Sequence, residues 1–238
     1  MPKCSNCESL SHNAKKCTEV CGHCGGNGHK RKECMKDNYT DDFLKERVNL
    51  YKKLYTEEMA LRVKYGVHFR FSNPPGDMSE NIVKVILKNK GRNIVWCNGV
   101  GSALSGDLFE IDGNRIIEVK AFMSDGPSSF GPKKKFYQIY FLVLKKFFDE
   151  DPMIILWEVN LTNESEAWKS LKMNGEQSFE DKAGNGNRPH IAWENIKAQI
   201  EKSSPGAIKE VYNGSFAGIF TLLPTPPRAT EPASQQST

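Results

Sequence analysis

Apolar residues recur at helical spacing through residues 43–65, where Leu44, Val48, Tyr51, Tyr55 and Met59 define one face. A long amphipathic helix is predicted there. Ser72-Asn73-Pro74-Pro75-Gly76 breaks it, because proline lacks a backbone donor and glycine favours turns. Asp77 followed by Glu80 has the form of a capping box opening a second helix, with Ile82, Val83, Ile86 and Leu87 as its apolar face and Gly91 as its stop. The period then changes. Residues 93–97 read as a short apolar strand, and residues 104–111 and 114–122 as two strands around Asp112-Gly113, a hairpin signal. Residues 136–144 admit strand or helix, their aromatics favouring strand. Residues 153–161 read as a buried strand, 192–202 as a helix and 216–223 as a last strand, while 162–190 is polar and Gly/Asn-rich. Residues 224–238 have the Pro/Ser/Gln composition of a disordered tail. The sum is an α/β body with a mixed sheet over residues 38–223, joined through a polar linker at 35–42 to a separate segment, 1–37.

That N-terminal segment carries a repeated pattern. Cys4, Cys7, His12 and Cys17, then Cys21, Cys24, His29 and Cys34, share the spacing C-x2-C-x4-H-x4-C. Zinc takes four thiolate or imidazole ligands in a tetrahedron. A two-residue gap lets one tight turn present two sulfurs, and the longer gaps bring His and the last Cys back to close the site. A disulfide framework would give the repeated histidine no role. The spacing resembles the CCHC zinc knuckle. The second copy has Gly25, Gly28 and the basic Lys32 at the family's positions, whereas the first has Glu8 and Ser11 in place of the glycines. Ser5 and Gly22 stand where that family carries an aromatic that stacks on unpaired bases. His23, between two ligands, is read as a bystander, and Cys97, in an apolar run, as a buried core thiol. With no secretory signal after Met1 and no run of 18 apolar residues, the expected setting is a reducing intracellular compartment.

Charge adds little. The formal net charge is +4, and residues 1–36 account for all of it, with seven Lys/Arg against three acids. Two zinc ions, each on three thiolates, would reduce it further. Nucleic acid is permitted by charge but not demonstrated by it.

The hairpin gathers the candidate chemistry. If Asp112-Gly113 are the turn residues, opposed residues have numbers summing to 225, and Asp107 faces Glu118. If the turn is Gly113-Asn114 the sum is 227 and Asp107 faces Lys120. Either way Asp107, Glu118 and Lys120 share one face, because side chains alternate along a strand. Two opposed carboxylates repel unless a cation lies between them, and hard oxygen ligands suit Mg²⁺. Alternation puts Glu110 and Asp112 on the other face. A surface hairpin with an ordinary Glu–Lys pair is the competing reading.

Ser105-Gly106-Asp107 followed by Glu118-Val119-Lys120 resembles the PD-(D/E)xK signature of restriction-endonuclease-like nucleases, with Gly106 in place of the leading proline. Residues 124–132 are similar to a stretch that follows the lysine in some type II restriction enzymes. The resemblance implies a restriction-endonuclease-like mixed β-sheet flanked by helices. It implies Mg²⁺-dependent cleavage of double-stranded DNA to 5′-phosphate and 3′-hydroxyl ends, with Asp107 and Glu118 holding the cation and Lys120 acting on the attacking water. It also implies a further acid on the preceding helix, for which Glu80 is the candidate. Lys32, Ser128, Ser129 and Arg188 are candidate DNA contacts. A homodimer is one arrangement that would cut both strands. The alternatives are a structure-specific or repair-type DNA or RNA nuclease, and a non-catalytic zinc-knuckle protein that binds nucleic acid.

Overall fold

The computed structural model describes residues 4, 6, 7, 21, 23, 29, 31–67, 73–101, 104–127, 135–150, 152–174, 177–178 and 191–221. Helix α1 spans Asp41–Tyr65. Thr40 caps it by accepting from the Phe43 N–H at 3.2 Å, and Gly66 ends it at φ 64°. Asp41 and Asp42 in the first turn and Arg62 and Lys64 in the last complement the helix dipole. Only Leu44 and Val48 of this helix are fully buried, so its N-terminal half docks most deeply, and Tyr55 beyond it stacks on Phe148 with ring centroids 3.8 Å apart.

Helix α2, Gly76–Asn89, is the buried one: every residue from Asn81 to Leu87 is inaccessible. The expected capping box is absent. Pro75 occupies the N-cap position without a side-chain bond. Asp77 is instead engaged by the Arg47 guanidinium of α1, and Glu80 accepts from the Trp96 indole N–H at 2.6 Å. Long-range partners outcompete the local cap for both carboxylates.

The sheet has six strands, β1 (Ile94–Trp96), β2 (Leu108–Glu110), β3 (Arg115–Phe122), β4 (Gln138–Lys146), β5 (Met153–Val159) and β8 (Ile208–Ser215), hydrogen-bonded in that order. β3 and β4 are parallel and every other neighbouring pair is antiparallel, which makes the sheet mixed. β4 lies at the centre and is buried from Gln138 to Leu144, as a strand covered on both faces should be. Residues 136–144 are therefore strand rather than helix. One face carries Ile117, Val119, Tyr140 and Leu142 against α1 and α2. The other carries Phe122, Ile139 and Phe141 against Trp168 and helix α4 (Trp193–Ser203). A one-turn helix α3 (Glu166–Lys169) and a small ribbon, β6 (Lys172–Asn174) with β7 (Gln177–Ser178), occupy part of the 162–190 region.

The last strand is displaced from its expected place. Residues 216–223 were expected to form it, but Ala217–Phe220 is a 3-10 turn whose Ile219 is buried. The closing strand is β8, a half-exposed edge with a mostly polar sequence. The linker expectation for 35–42 is also corrected in part, since Tyr39 is buried between Phe43 and Trp96, with ring centroids 4.8 and 5.1 Å away.

Candidate active site

The β2–β3 hairpin has the 225 register: Leu108 pairs with Ile117, Phe109 with Ile116 and Glu110 with Arg115. Residues 111–114 form the turn, closed by a 3.2 Å bond from Asn114 N–H to the Ile111 carbonyl. Just before β2 the ladder slips. Asp107 N–H donates to the Ile117 carbonyl at 3.3 Å, and the Val119 N–H donates to Asp107 Oδ2 at 2.8 Å. The Asp107 carboxylate thus lies against β3 beside Glu118. Gly106 makes this possible: its φ is +93°, and a Cβ there would lie 2.5 Å from Ile116 Cγ2. Proline, fixed near φ −65°, has no access to that conformation, which explains the departure from the signature.

Glu118 and Lys120 follow on β3, two residues apart on one face. Lys120 Nζ lies 2.5 Å from Glu118 Oε1. Glu118 is 4% exposed, and its Oε2 is buried with no hydrogen-bond partner. Glu80 approaches from α2. Burial, then the Asp107 charge, raises its carboxyl to about 7, with smaller contributions from Asp77 and Glu118 and an opposing one from the Trp96 indole. Glu80 thus feels the Asp107 charge most among the acids and the Glu118 charge least, while Glu118 and Lys120 pair on the face of β3 opposite to Val119.

The other candidates are more dispersed. Cys21 Sγ, a His29 ring nitrogen and Cys34 Sγ lie within 4.8 Å of one another, a spacing that suits a shared ion. His23 is outside that group and bonds the Lys36 carbonyl at 2.9 Å. Cys4 is buried and Cys7 half-buried; His12, Cys17 and Cys24 lie outside the described residues. Asn6 Oδ1 accepts from the Arg31 N–H at 2.8 Å, linking the two repeats. Lys32 lies in a 3-10 turn, Arg31–Glu33. Ser128, Ser129 and Arg188 lie outside the described residues, although the segments that lead to them meet, Asp125 carbonyl accepting from Trp193 N–H at 2.7 Å. Cys97 is a buried thiol, 3.4 Å from the Ser105 carbonyl. Among the described residues, no helix is long and apolar enough to cross a membrane.

Sequence reasoning missed three residues around Glu80, namely Trp96, Asp37 and Lys84. Trp96 reads as one more apolar strand residue and Asp37 as part of a polar linker. The only available signal was a lysine, Lys84, on the apolar side of α2.

A mixed sheet flanked by helices, with this hairpin forming its second and third strands, is the architecture of restriction-endonuclease-like proteins. The family model for the Bsp6I restriction endonuclease matches residues 39–201. The chain belongs to that family, and so to the DNA-cleaving hydrolases of the restriction-endonuclease type. No curated protein and no solved structure matches it significantly.

Proposed function

We propose that this chain is a Mg²⁺-dependent, site-specific endonuclease of double-stranded DNA. Asp107, Glu118 and Lys120 form its PD-(D/E)xK centre, Glu80 is the fourth acid, and two N-terminal zinc knuckles assist binding. The observation that carries the reading is Glu118. A carboxylate oxygen buried without a partner costs free energy, and here it belongs to an acid paired with Lys120, with Asp107 held on the adjacent Val119 N–H. Such a donor set fits a hard divalent cation. When bound, Mg²⁺ would neutralise phosphate charge and lower the pKa of water.

The chain's own residues supply the rest. Asp107 is held on the Val119 N–H, which fixes one carboxylate. Glu118 would hold the cation through Oε2, and Lys120, paired with Oε1, would orient the attacking water and offset charge on the pentacoordinate phosphorus. The products are 5′-phosphate and 3′-hydroxyl ends. Ser128, Ser129 and Arg188 are proposed to contact DNA beside these carboxylates, and Lys32 on the knuckle side, arginine and lysine being natural phosphate and guanine ligands. Zinc in the Cys21, Cys24, His29, Cys34 set is supported by the convergence of the three described ligands, and the Cys4, Cys7, His12, Cys17 set by its identical spacing. Leu50, Leu54 and Leu61, exposed along α1, are the face proposed for a homodimer that would cut both strands.

The test is cleavage of a long defined duplex with Mg²⁺, with sequenced ends and Lys120→Ala alongside. Discrete ends at one short motif, absent in the variant and in chelator, are expected. Intact DNA under every condition would sink the reading.

A further inference from the structure

Two polar clamps join α2 to β1, one helical turn apart. In the first, the Trp96 indole N–H donates to Glu80 at 2.6 Å. In the second, Asp37 Oδ2 accepts from Lys84 Nζ at 2.7 Å and from the Trp96 backbone N–H at 3.3 Å. Glu80 and Lys84 are i and i+4 on α2, so they share a face, and Trp96 takes part in both clamps. Lys84 is 2% exposed and also donates to the Tyr39 carbonyl at 2.7 Å. A buried ammonium is stable only when paired in this way.

Asp37 is three residues beyond Cys34. The same cysteine abuts the loop that leads to Asp107. A Cβ on Gly101 would lie 2.1 Å from the Arg31 carbonyl oxygen and 3.0 Å from Cys34 Cβ, so only glycine lets the two backbones approach. Asn38 N–H donates to the Gly99 carbonyl at 3.3 Å. That loop is pinned at its far end by the Cys97 thiol on Ser105 and by Cys97 N–H on the Asp107 carbonyl at 3.1 Å. The cysteine–histidine module therefore touches the supports of two acids, Glu80 through Asp37 and Asp107 through Gly101.

We propose that Asp37 is a positioning residue for the active site, transmitting the metal-loaded state of the Cys21–His29–Cys34 module to Glu80 and Asp107. It acts through Trp96 and Lys84, not on the substrate. The proposal rests on the reading that Asp107 and Glu118 hold a divalent cation. Coupling between two sites is reciprocal in binding free energy. A cation at the carboxylates must then stabilise zinc in the module by the same factor that zinc improves the cation's binding.

The experiment uses the full-length zinc-loaded protein, with Ca²⁺ as a non-hydrolytic hard cation. Ca²⁺ binding is followed by calorimetry, and zinc release to a chromogenic chelator is timed with and without saturating Ca²⁺. Ca²⁺ is expected to slow release at least about fivefold, the lower end of ordinary site-to-site coupling. Glu118→Gln should abolish both the binding heat and the protection. Asp37→Asn should keep the zinc content but reduce the protection to within about twofold, and weaken Ca²⁺ binding to the zinc-loaded protein by the factor by which the protection shrinks. If Asp37→Asn fails to fold, Trp96→Phe, which deletes the indole donor together with part of the ring packed on Tyr39, serves instead. It should lower kcat with KM for DNA unchanged and weaken the protection. Ca²⁺ binding that is lost in Glu118→Gln yet leaves zinc release unchanged would overturn this inference while sparing the active-site reading. Protection that persists in both Asp37→Asn and Trp96→Phe would also overturn it. Absence of Ca²⁺ and Mg²⁺ binding would overturn both, whereas absence of zinc would overturn this inference alone.

Discussion

Lys120 and Glu118 form an ion pair 2.5 Å long within a single strand, yet only one oxygen of Glu118 takes part. The pair is asymmetric in exposure as well: the Glu118 side chain is 5% exposed and that of Lys120 21%. Removing the lysine strands a buried charge, whereas removing the acid leaves a cation that water can reach. In chelator, Lys120→Ala should therefore melt lower, by about 3 kcal/mol, while Glu118→Gln should lie within about 1 kcal/mol of the parent. Both should lose cleavage by roughly 10²–10⁴-fold, the usual contribution of one acid–base or charge-stabilising group. Denaturant melts and single-turnover cleavage check the two claims. Equal destabilisation by both changes would contradict the burial argument.

Glu80 gives the metal-free protein a pH signature. Its carboxyl is raised from 4.5 to about 7, so the folded state favours the protonated form. That contribution is complete below about pH 4.5 and is lost as pH rises through about 7. Glu80→Gln should match the parent near pH 4 and exceed it above pH 7.5, by up to about 3 kcal/mol. Mg²⁺ favours the ionised acid, so it should raise the melting temperature more at pH 8 than at pH 6. Thermal melts across that range, with and without Mg²⁺, decide it, and a Glu80→Gln advantage that is constant with pH would be inconsistent with this assignment.

Gly106 is constrained both by its φ of +93° and by the Ile116 side chain that any Cβ would strike. Gly106→Ala is expected to cost about 1–3 kcal/mol. It should reduce cleavage as well, since Asp107 is the next residue. Pairing it with Ile116→Ala removes the steric part only. If the double variant is as active as the parent, the clash and not the backbone angle governs the position.

The N-terminal module should hold two zinc ions per chain, and Cys34→Ser should hold one, by elemental analysis of purified protein. Metal loss is expected to lower the melting temperature of the body as well, because Cys34 packs on Gly101 and Asp37 lies between α2 and β1. Unchanged melting of residues 39–221 after chelation would mean that the module is energetically separate.

The parts of this molecule legible in its sequence are those governed by local periodicity. The long helix at 43–65 is observed as Asp41–Tyr65, the helix at 192–202 as Trp193–Ser203, and the hairpin has one of the two registers that alternation allowed. The shared face of Glu118 and Lys120 followed from the same alternation, whereas Asp107 reaches β3 through a slip of the ladder at Val119 N–H. What failed depended on partners far along the chain. Asp77 has the pattern of a cap, but Arg47, thirty residues earlier, engages it. β8 was missed because an edge strand with one solvated face needs few apolar residues. Phe216 and Ile219 look like strand residues and instead plug the core beside α2 from a 3-10 turn. Asp37 and Trp96 carry no local signal at all, since their significance lies in contacts with Lys84 and Glu80 on a different element.

Three of the four candidate active-site residues lie within one hairpin, between Asp107 and Lys120. Closing so short a loop costs little chain entropy, and contacts this local tend to form early. The carboxylate–lysine group can thus assemble before the central sheet exists, and Glu80 joins only when α2 docks. On that order of events, a folding chain would hold the carboxylate–lysine hairpin without its fourth acid until α2, although earlier in the sequence, docks.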